Sequence, residues 1–201
     1  MRFQILSADV FTANVGTPEQ IETLRQEALA QRQISLDEFC FSNDKCWRSS
    51  FKYKDINWII EEIRKLVNEA IDYYIQTDRL YGEKVNYYGV PTVKYWTNVN
   101  EPHSKNAIHS HSLHHFVAVY YLQSDNTGQL VFHNPANLVQ ECHPHSPFVS
   151  MSAFNPKAGD LYVWPGWVPH ETETNFSDQH RINIAFNITF ETPMMINHEK
   201  N

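Results

Sequence analysis

Cysteine is scarce in this chain of 201 residues, with only Cys40, Cys46 and Cys142. An odd, sparse set gives no disulfide framework, and the spacing of Cys40 and Cys46 matches no zinc-site pattern, so reduced packing thiols are expected. Positive charge is short as well: 16 Lys and Arg stand against 23 Asp and Glu, a net charge of -7. That balance argues against a general binder of nucleic acid or anionic membrane, either of which needs a basic face. Long apolar runs are missing, the longest being Phe116–Leu122, against roughly 20 residues for a membrane-spanning helix. The opening MRFQILSADVF lacks the apolar centre of a signal peptide, so the N-x-S/T triplets at Asn175 and Asn187 carry little weight. Repeats, low-complexity tracts and Pro/Gly/Ser linkers are absent too. A single cytoplasmic domain, residues 1–201, is the expectation. Homo-oligomerisation is compatible with the sequence but not specified by it.

What is present divides by pattern. Residues 1–90 read as mainly helical and 91–201 as a strand-rich core. Thr17-Pro18-Glu19-Gln20 has the N-cap, the first-turn proline and the Gln of a capping box, predicting a helix to about Gln31. A longer helix is expected from near Asp55, a second capping candidate, to about Thr77. In it Ile56, Ile59, Ile63, Val67, Ala70 and Tyr74 recur at three- and four-residue steps and form one apolar stripe. From Pro91 onward, Val93–Val99, Phe116–Leu122, Gln129–His133, Asp160–Trp164 and Arg181–Phe190 are rich in β-branched and aromatic residues, with turn signals between them. Helices followed by many short strands indicate an α+β fold whose body is an antiparallel sandwich or barrel.

Chemistry concentrates in the histidines, ten of which lie between His103 and His180. Two H-x-H pairs occur. His109-Ser110-His111 immediately precedes the strand HHFVAVYYL, and alternate side chains of an extended chain point the same way, so both rings can close on one ion. His143-Pro144-His145 is flanked by prolines and reads as a loop. A third ligand candidate is His170, delivered after the strand of GDLYVWPGWVPH; on its own it reads more readily as a buried, hydrogen-bonded histidine than as a ligand. Arg181 then opens the strand RINIAFNITF. A lone Arg in an apolar strand needs an anion or carboxylate, and the choice lies between a structural salt bridge and a bidentate clamp for a small acid.

The order His109-x-His111, His170, Arg181 resembles the iron(II)- and 2-oxoglutarate-dependent oxygenases built on a double-stranded β-helix. A bacterial and phage group of these matches more finely, in the segments YWTNVN, HSHSLHHFVAVYYL, GQLVFHNP, VWPGWVPH and RINIAFN. The resemblance covers most of the chain. It implies N-terminal helices packed on a double-stranded β-helix (jelly-roll, cupin-like) core, with Fe(II) and 2-oxoglutarate as cofactors. It also implies hydroxylation of an unidentified small molecule or protein side chain, coupled to decarboxylation of the cosubstrate. His109, His111 and His170 would then hold the metal, and Arg181 the distal carboxylate of 2-oxoglutarate. Tyr95 and Asn183 are candidates to complete that clamp.

The general superfamily has a carboxylate where this chain has His111. A three-histidine site keeps the ion's charge at roughly +2 instead of +1. The alternative is that His111 does not ligate, with His103, His114 and His115 in reserve. Tyr120 and Tyr121 point to opposite faces, so at most one lines the pocket. Asn98 and Asn106 are candidates to orient the histidines, and Trp164 and Trp167 read as core or rim packing. Two other readings stay open at this level: a cupin-type three-histidine dioxygenase that does not use 2-oxoglutarate, and a non-catalytic binding protein on the same scaffold. In the first, Arg181 would lack a cosubstrate and be replaceable; the second is motivated by the missing carboxylate ligand.

Overall fold

The structure, a computed structural model, describes residues 8–35, 42–76, 91–134 and 151–190. Cys40, Cys142 and the His143–His145 pair lie outside them. The described residues are mostly β, with two helices and nine strands in the order β1 (Phe11–Asn14), α1 (Pro18–Ile34), β2 (Asn43–Ser49), α2 (Asn57–Gln76), β3 (Thr92–His109), β4 (Phe116–Gln123), β5 (Leu130–His133), β6 (Met151–Phe154), β7 (Asp160–Pro165), β8 (His170–Thr172) and β9 (Arg181–Thr189). None of these helices is long and apolar enough to cross a membrane.

Both helices start where local chemistry places them, within a residue or two. Thr17 caps α1 in a full capping box, its side chain accepting from the Gln20 backbone and the Gln20 side chain accepting from Thr17 N–H. At the second helix the expected cap is not Asp55. The first turn instead folds back on Ile56, whose carbonyl accepts from the N–H groups of Ile59 and Ile60. The apolar stripe of α2 is buried as its spacing requires, with Ile59, Ile63, Val67 and Ala70 fully enclosed. Each of the large ones contributes about 1.5–3 kcal/mol by leaving water.

All nine strands belong to one curled antiparallel sheet, in the order β1-β7-β4-β9-β3-β8-β5-β6, with β2 paired to β3 off that path. The described part of the first ninety residues therefore supplies two strands as well as two helices. β3 is the hinge of the curl. Its first half pairs with β9, from Thr92↔Thr189 to Asn100↔Arg181; its last residues cross to β8, with His109 directly opposite His170. The period-2 alternation sorts side chains cleanly. Ala118, Tyr120 and Leu122 of β4, Leu161 and Val163 of β7, and the even-numbered residues Ile182–Ile188 of β9 join the helix residues in one apolar cluster. Val117, Val119, Tyr121, Tyr162 and Trp164 face the concave side in a second cluster. That concave side is the wall of a cavity of about 470 Å³.

Candidate metal and cosubstrate site

Three histidines converge at one end of the cavity. His109 ends β3, His111 follows in the turn before β4, and His170 opens β8. One ring nitrogen from each lies within 4.8 Å of the other two. The second nitrogen of each ring is occupied. Nδ1 of His109 donates to the Ala107 carbonyl at 2.7 Å, Nδ1 of His111 to Asn187 Oδ1 at 2.7 Å, and Nδ1 of His170 to the Val168 carbonyl at 2.9 Å. An oxygen acceptor there fixes the proton on Nδ1 and leaves the Nε2 lone pair for a ligand bond. Burial disfavours the charged ring in all three. It lowers His109, takes His111 down to about 4 against the opposing hydrogen bond to Asn187, and takes His170 to about 3 with help from neighbouring His109. At neutral pH the trio is uncharged, as metal ligation demands, and the donor set fits a single Fe(II).

The positions around the trio are stiff. Trp164 packs edge-on to His170, ring centres 4.8 Å apart, and Phe132 packs edge-on to Trp164 at 4.9 Å. The turn carrying His111 is pinned to Gly166, the residue after β7, by two backbone hydrogen bonds, His111 N–H to Gly166 O at 2.7 Å and Gly166 N–H to His115 O at 3.0 Å. This approach excludes a side chain: a Cβ at Gly166 would lie 2.2 Å from the His114 carbonyl oxygen and 2.7 Å from that of His111. Gly166→Ala is thus expected to push His111 off the trio and weaken Fe(II) binding by about 10-fold or more, on the scale of losing an orienting contact. Chelator competition on the anaerobic protein checks this; unchanged affinity would show that the turn yields without moving the ring.

Arg181 is completely buried. Its Nη1 donates to the carbonyls of Thr127 at 2.6 Å and Glu173 at 3.2 Å, and its Nη2 to Thr172 Oγ1 at 2.9 Å. Three of the five guanidinium donors are thereby used. Nε–H has no partner among the described residues. One N–H of Nη2 is also left over, so two adjacent donors remain on one edge. All three acceptors are neutral, so among the described residues no carboxylate balances the charge. Burial alone pulls the guanidinium below its usual value, with Tyr121 opposing. A buried cation with a vacant fork fits a carboxylate ligand. The guanidinium sits just behind the cavity wall, reached through Thr172 and Tyr121, which do line it.

The other expected residues separate. Asn183 lines the cavity and accepts a hydrogen bond from Asn98 Nδ2 at 2.9 Å. Tyr95 lies on the helix side, opposite Phe186 in register and packed against Tyr53, and does not line the cavity. Tyr121, whose hydroxyl makes no hydrogen bond among the described residues, takes the position foreseen for one of the tyrosine pair; Tyr120 turns away and donates to the Val15 carbonyl at 2.8 Å. The Nδ1 atoms of the trio are held by Ala107, Asn187 and Val168, and not by Asn98 or Asn106. Asn106 is instead tied to Thr172 and Asn100. The residue missed was Asn187, and the signal for it was the strand alternation that puts Arg181, Asn183 and Asn187 on one face.

Residues 94–187 match the model of the family described as "Putative 2OG-Fe(II) oxygenase". Among solved structures, the chain is similar to a prolyl-4-hydroxylase of Pseudomonas putida, with a TM-score of 0.61 and 13% identity over 92% of this chain and 93% of that one. It is also similar to HygX of Streptomyces hygroscopicus, solved with nickel and 2-oxoglutarate bound, with a TM-score of 0.56 and 14% identity over 92% and 84%. A prolyl hydroxylase of Trichoplax adhaerens, solved with a hypoxia inducible factor peptide, gives a TM-score of 0.57 and 13% identity over 96% and 88%. Identities this low carry the fold alone. No curated protein matches the chain by sequence.

Proposed function

Because residues 94–187 match the model of the 2OG-Fe(II) oxygenase family, we propose that His109, His111 and His170 hold the iron of such an enzyme and Arg181 the distal carboxylate of its 2-oxoglutarate. The chain is an oxygenase with Fe(II) and 2-oxoglutarate as cofactors. Its curled sheet is read as a double-stranded β-helix carrying the helices on its convex side in one domain. The substrate class stays as broad as a small molecule or a protein side chain. Bound Fe(II) supplies the redox chemistry that couples decarboxylation of 2-oxoglutarate to oxidation of a substrate by dioxygen.

The chain's own residues do the placing. The three imidazoles would hold the ion at one end of the cavity, where cosubstrate and dioxygen could reach it. The Nδ1 hydrogen bonds hold each ring at its ligating tautomer. Trp164 and Phe132 keep bulk water from the His170 side. The vacant edge of Arg181, with the Tyr121 hydroxyl and Asn183 beside it, gives a dicarboxylate one orientation: one end buried, the other toward the trio. The observation that carries this reading is the pairing of a neutral, tautomer-fixed histidine trio with a buried, unbalanced guanidinium behind one cavity. A cupin-type site that does not take 2-oxoglutarate has no use for that cation.

Anaerobic titration of metal-free protein with Fe(II), then 2-oxoglutarate, tests it. One equivalent of iron and a visible charge-transfer band on adding the keto acid are expected; iron bound with no band overturns the cosubstrate assignment. Asn187→Leu should lower Fe(II) affinity about 10–100-fold, the usual range for losing a ligand's hydrogen-bond partner. Competition with a chelator measures it, and an unchanged affinity removes Asn187 from the site.

A further inference from the structure

Two reverse turns meet beside the trio. In the first, His114 N–H donates to the His111 carbonyl at 2.9 Å, with Ser112 and Leu113 at the tip. In the second, Val168 N–H donates to the Pro165 carbonyl at 3.1 Å, with Gly166 and Trp167 at the tip. The backbone hydrogen bonds of Gly166 with His111 and His115 join the two turns, so their tips stand side by side. One turn starts at His111 and the other leads into His170.

Each tip carries a large apolar side chain that packing does not explain. Leu113 is 87% exposed and Trp167 42%, and neither belongs to an apolar cluster of the described residues. Turn geometry does not call for them either. Tips of reverse turns favour Gly, Asn, Asp and Ser, and neither residue has the left-handed backbone. Leu113 also lines the cavity, as do the exposed Ser110 and Ser112. Residues that line a cavity and also face solvent mark its mouth, which therefore opens along this turn.

A ligand small enough to be enclosed would leave Trp167 and the outer surface of Leu113 in water. Covering both takes a molecule that enters the cavity and continues out across the mouth. Ser110, Ser112, Leu113 and Trp167 offer no charge, and the chain carries -7 overall, which argues against a nucleic acid. A polypeptide brings apolar side chains at regular spacing along an extended backbone. We propose that Leu113 and Trp167 dock a polypeptide across the mouth, by gripping an aliphatic or aromatic side chain close to the residue that enters the cavity to be oxidised. The proposal rests on the oxygenase reading above and names the substrate class for that site.

The test presents anaerobic protein, saturated with Fe(II) and 2-oxoglutarate, with a phage-displayed library of random ten-residue peptides. Enriched sequences are then synthesised with capped ends. They should share an aliphatic or aromatic residue. Their proton signals should broaden more with Fe(II) in the site than with Zn(II), which reports binding beside the trio. Leu113→Asp should weaken that binding about 10-fold or more, the scale of one leucine taken out of contact. Trp167→Ser should weaken it by as much, and the charge-transfer band should persist in both. Leu113→Ser carries the test should Leu113→Asp not fold. No enrichment, enriched peptides without a shared apolar residue, no iron-dependent broadening, or affinities untouched in the variants overturns the proposal. A wild-type dimer that Leu113→Asp separates, seen by sedimentation, also overturns it, by assigning the tips to a second copy of the chain. A wild type that shows no band fails one level lower, in the oxygenase reading, and takes the proposal with it; with the band present, a negative peptide result counts against the proposal alone.

Discussion

Alanine at His170 is expected to abolish stoichiometric Fe(II) binding while the protein still folds. Losing a hydrogen-bond partner of a metal ligand already costs 10–100-fold in affinity. Losing the ligand itself should exceed that, reaching about a thousandfold, or ~4 kcal/mol. Decarboxylation of 2-oxoglutarate should fall at least as far, since only two imidazoles remain on the ion. A smaller structural effect accompanies it. His170 is buried against Trp164 and Phe132, so the metal-free variant loses packing worth roughly 1–3 kcal/mol. His103→Ala is the control. That ring lies away from the trio, packed edge-on to Phe176 at 6.5 Å, and its loss should leave iron content unchanged. Metal analysis after anaerobic gel filtration decides: iron retained in the His170 variant would mean that the cluster is a packed group of histidines and not a metal site.

The second large effect concerns Arg181. In wild-type protein loaded with Fe(II) under nitrogen, 2-oxoglutarate at a hundred times its dissociation constant should stabilise the fold by about 2.7 kcal/mol through mass action. In Arg181→Met that increment should vanish, because the carboxylate loses both vacant donors and the charge behind them. The unliganded variant should also be weaker by about 1–3 kcal/mol, since two backbone carbonyls and Thr172 Oγ1 lose their donor. Relief from burying an unbalanced cation works in the opposite direction. Urea unfolding with and without the keto acid separates the two contributions. An undiminished increment in the variant would place the cosubstrate elsewhere.

Much of the fold was legible because its signals are local. The α1 capping box lies within four residues, and the α2 stripe within twenty. The long apolar strands announced themselves by composition. β1 and β2 did not: FTAN alternates but is only four residues long, NDKCWRS carries no apolar alternation, and they are strands because β7 and β3 offer edges to pair with. The site shows the same division. Order and spacing brought out the three histidines and Arg181 as a group, whereas the choice between Tyr95 and Tyr121 depended on strand parity. Parity is set by pairing: Asn100 lies opposite Arg181, so Trp96 and Asn98 share its face and Tyr95 turns to the helices. No sequence window contains that fact. Asn187 was hidden differently, behind a triplet that reads as a modification signal before it reads as the fourth step of a β-strand face.

That face of β9 acts as a ruler. Arg181, Asn183 and Asn187 stand on one strand that is paired on both sides, to β3 and β4, so the distance between the proposed carboxylate anchor and the support of His111 is set by counting peptide units. Inserting or deleting one residue between them would turn one group out of the cavity. Changing the count by two would keep both inside but shift one against the other by ~7 Å, more than the length of the keto acid's carbon chain can absorb. Under the proposed assignment, point substitutions can retune the site along β9, but the spacing itself has no neighbouring value at which metal and keto acid would both still fit.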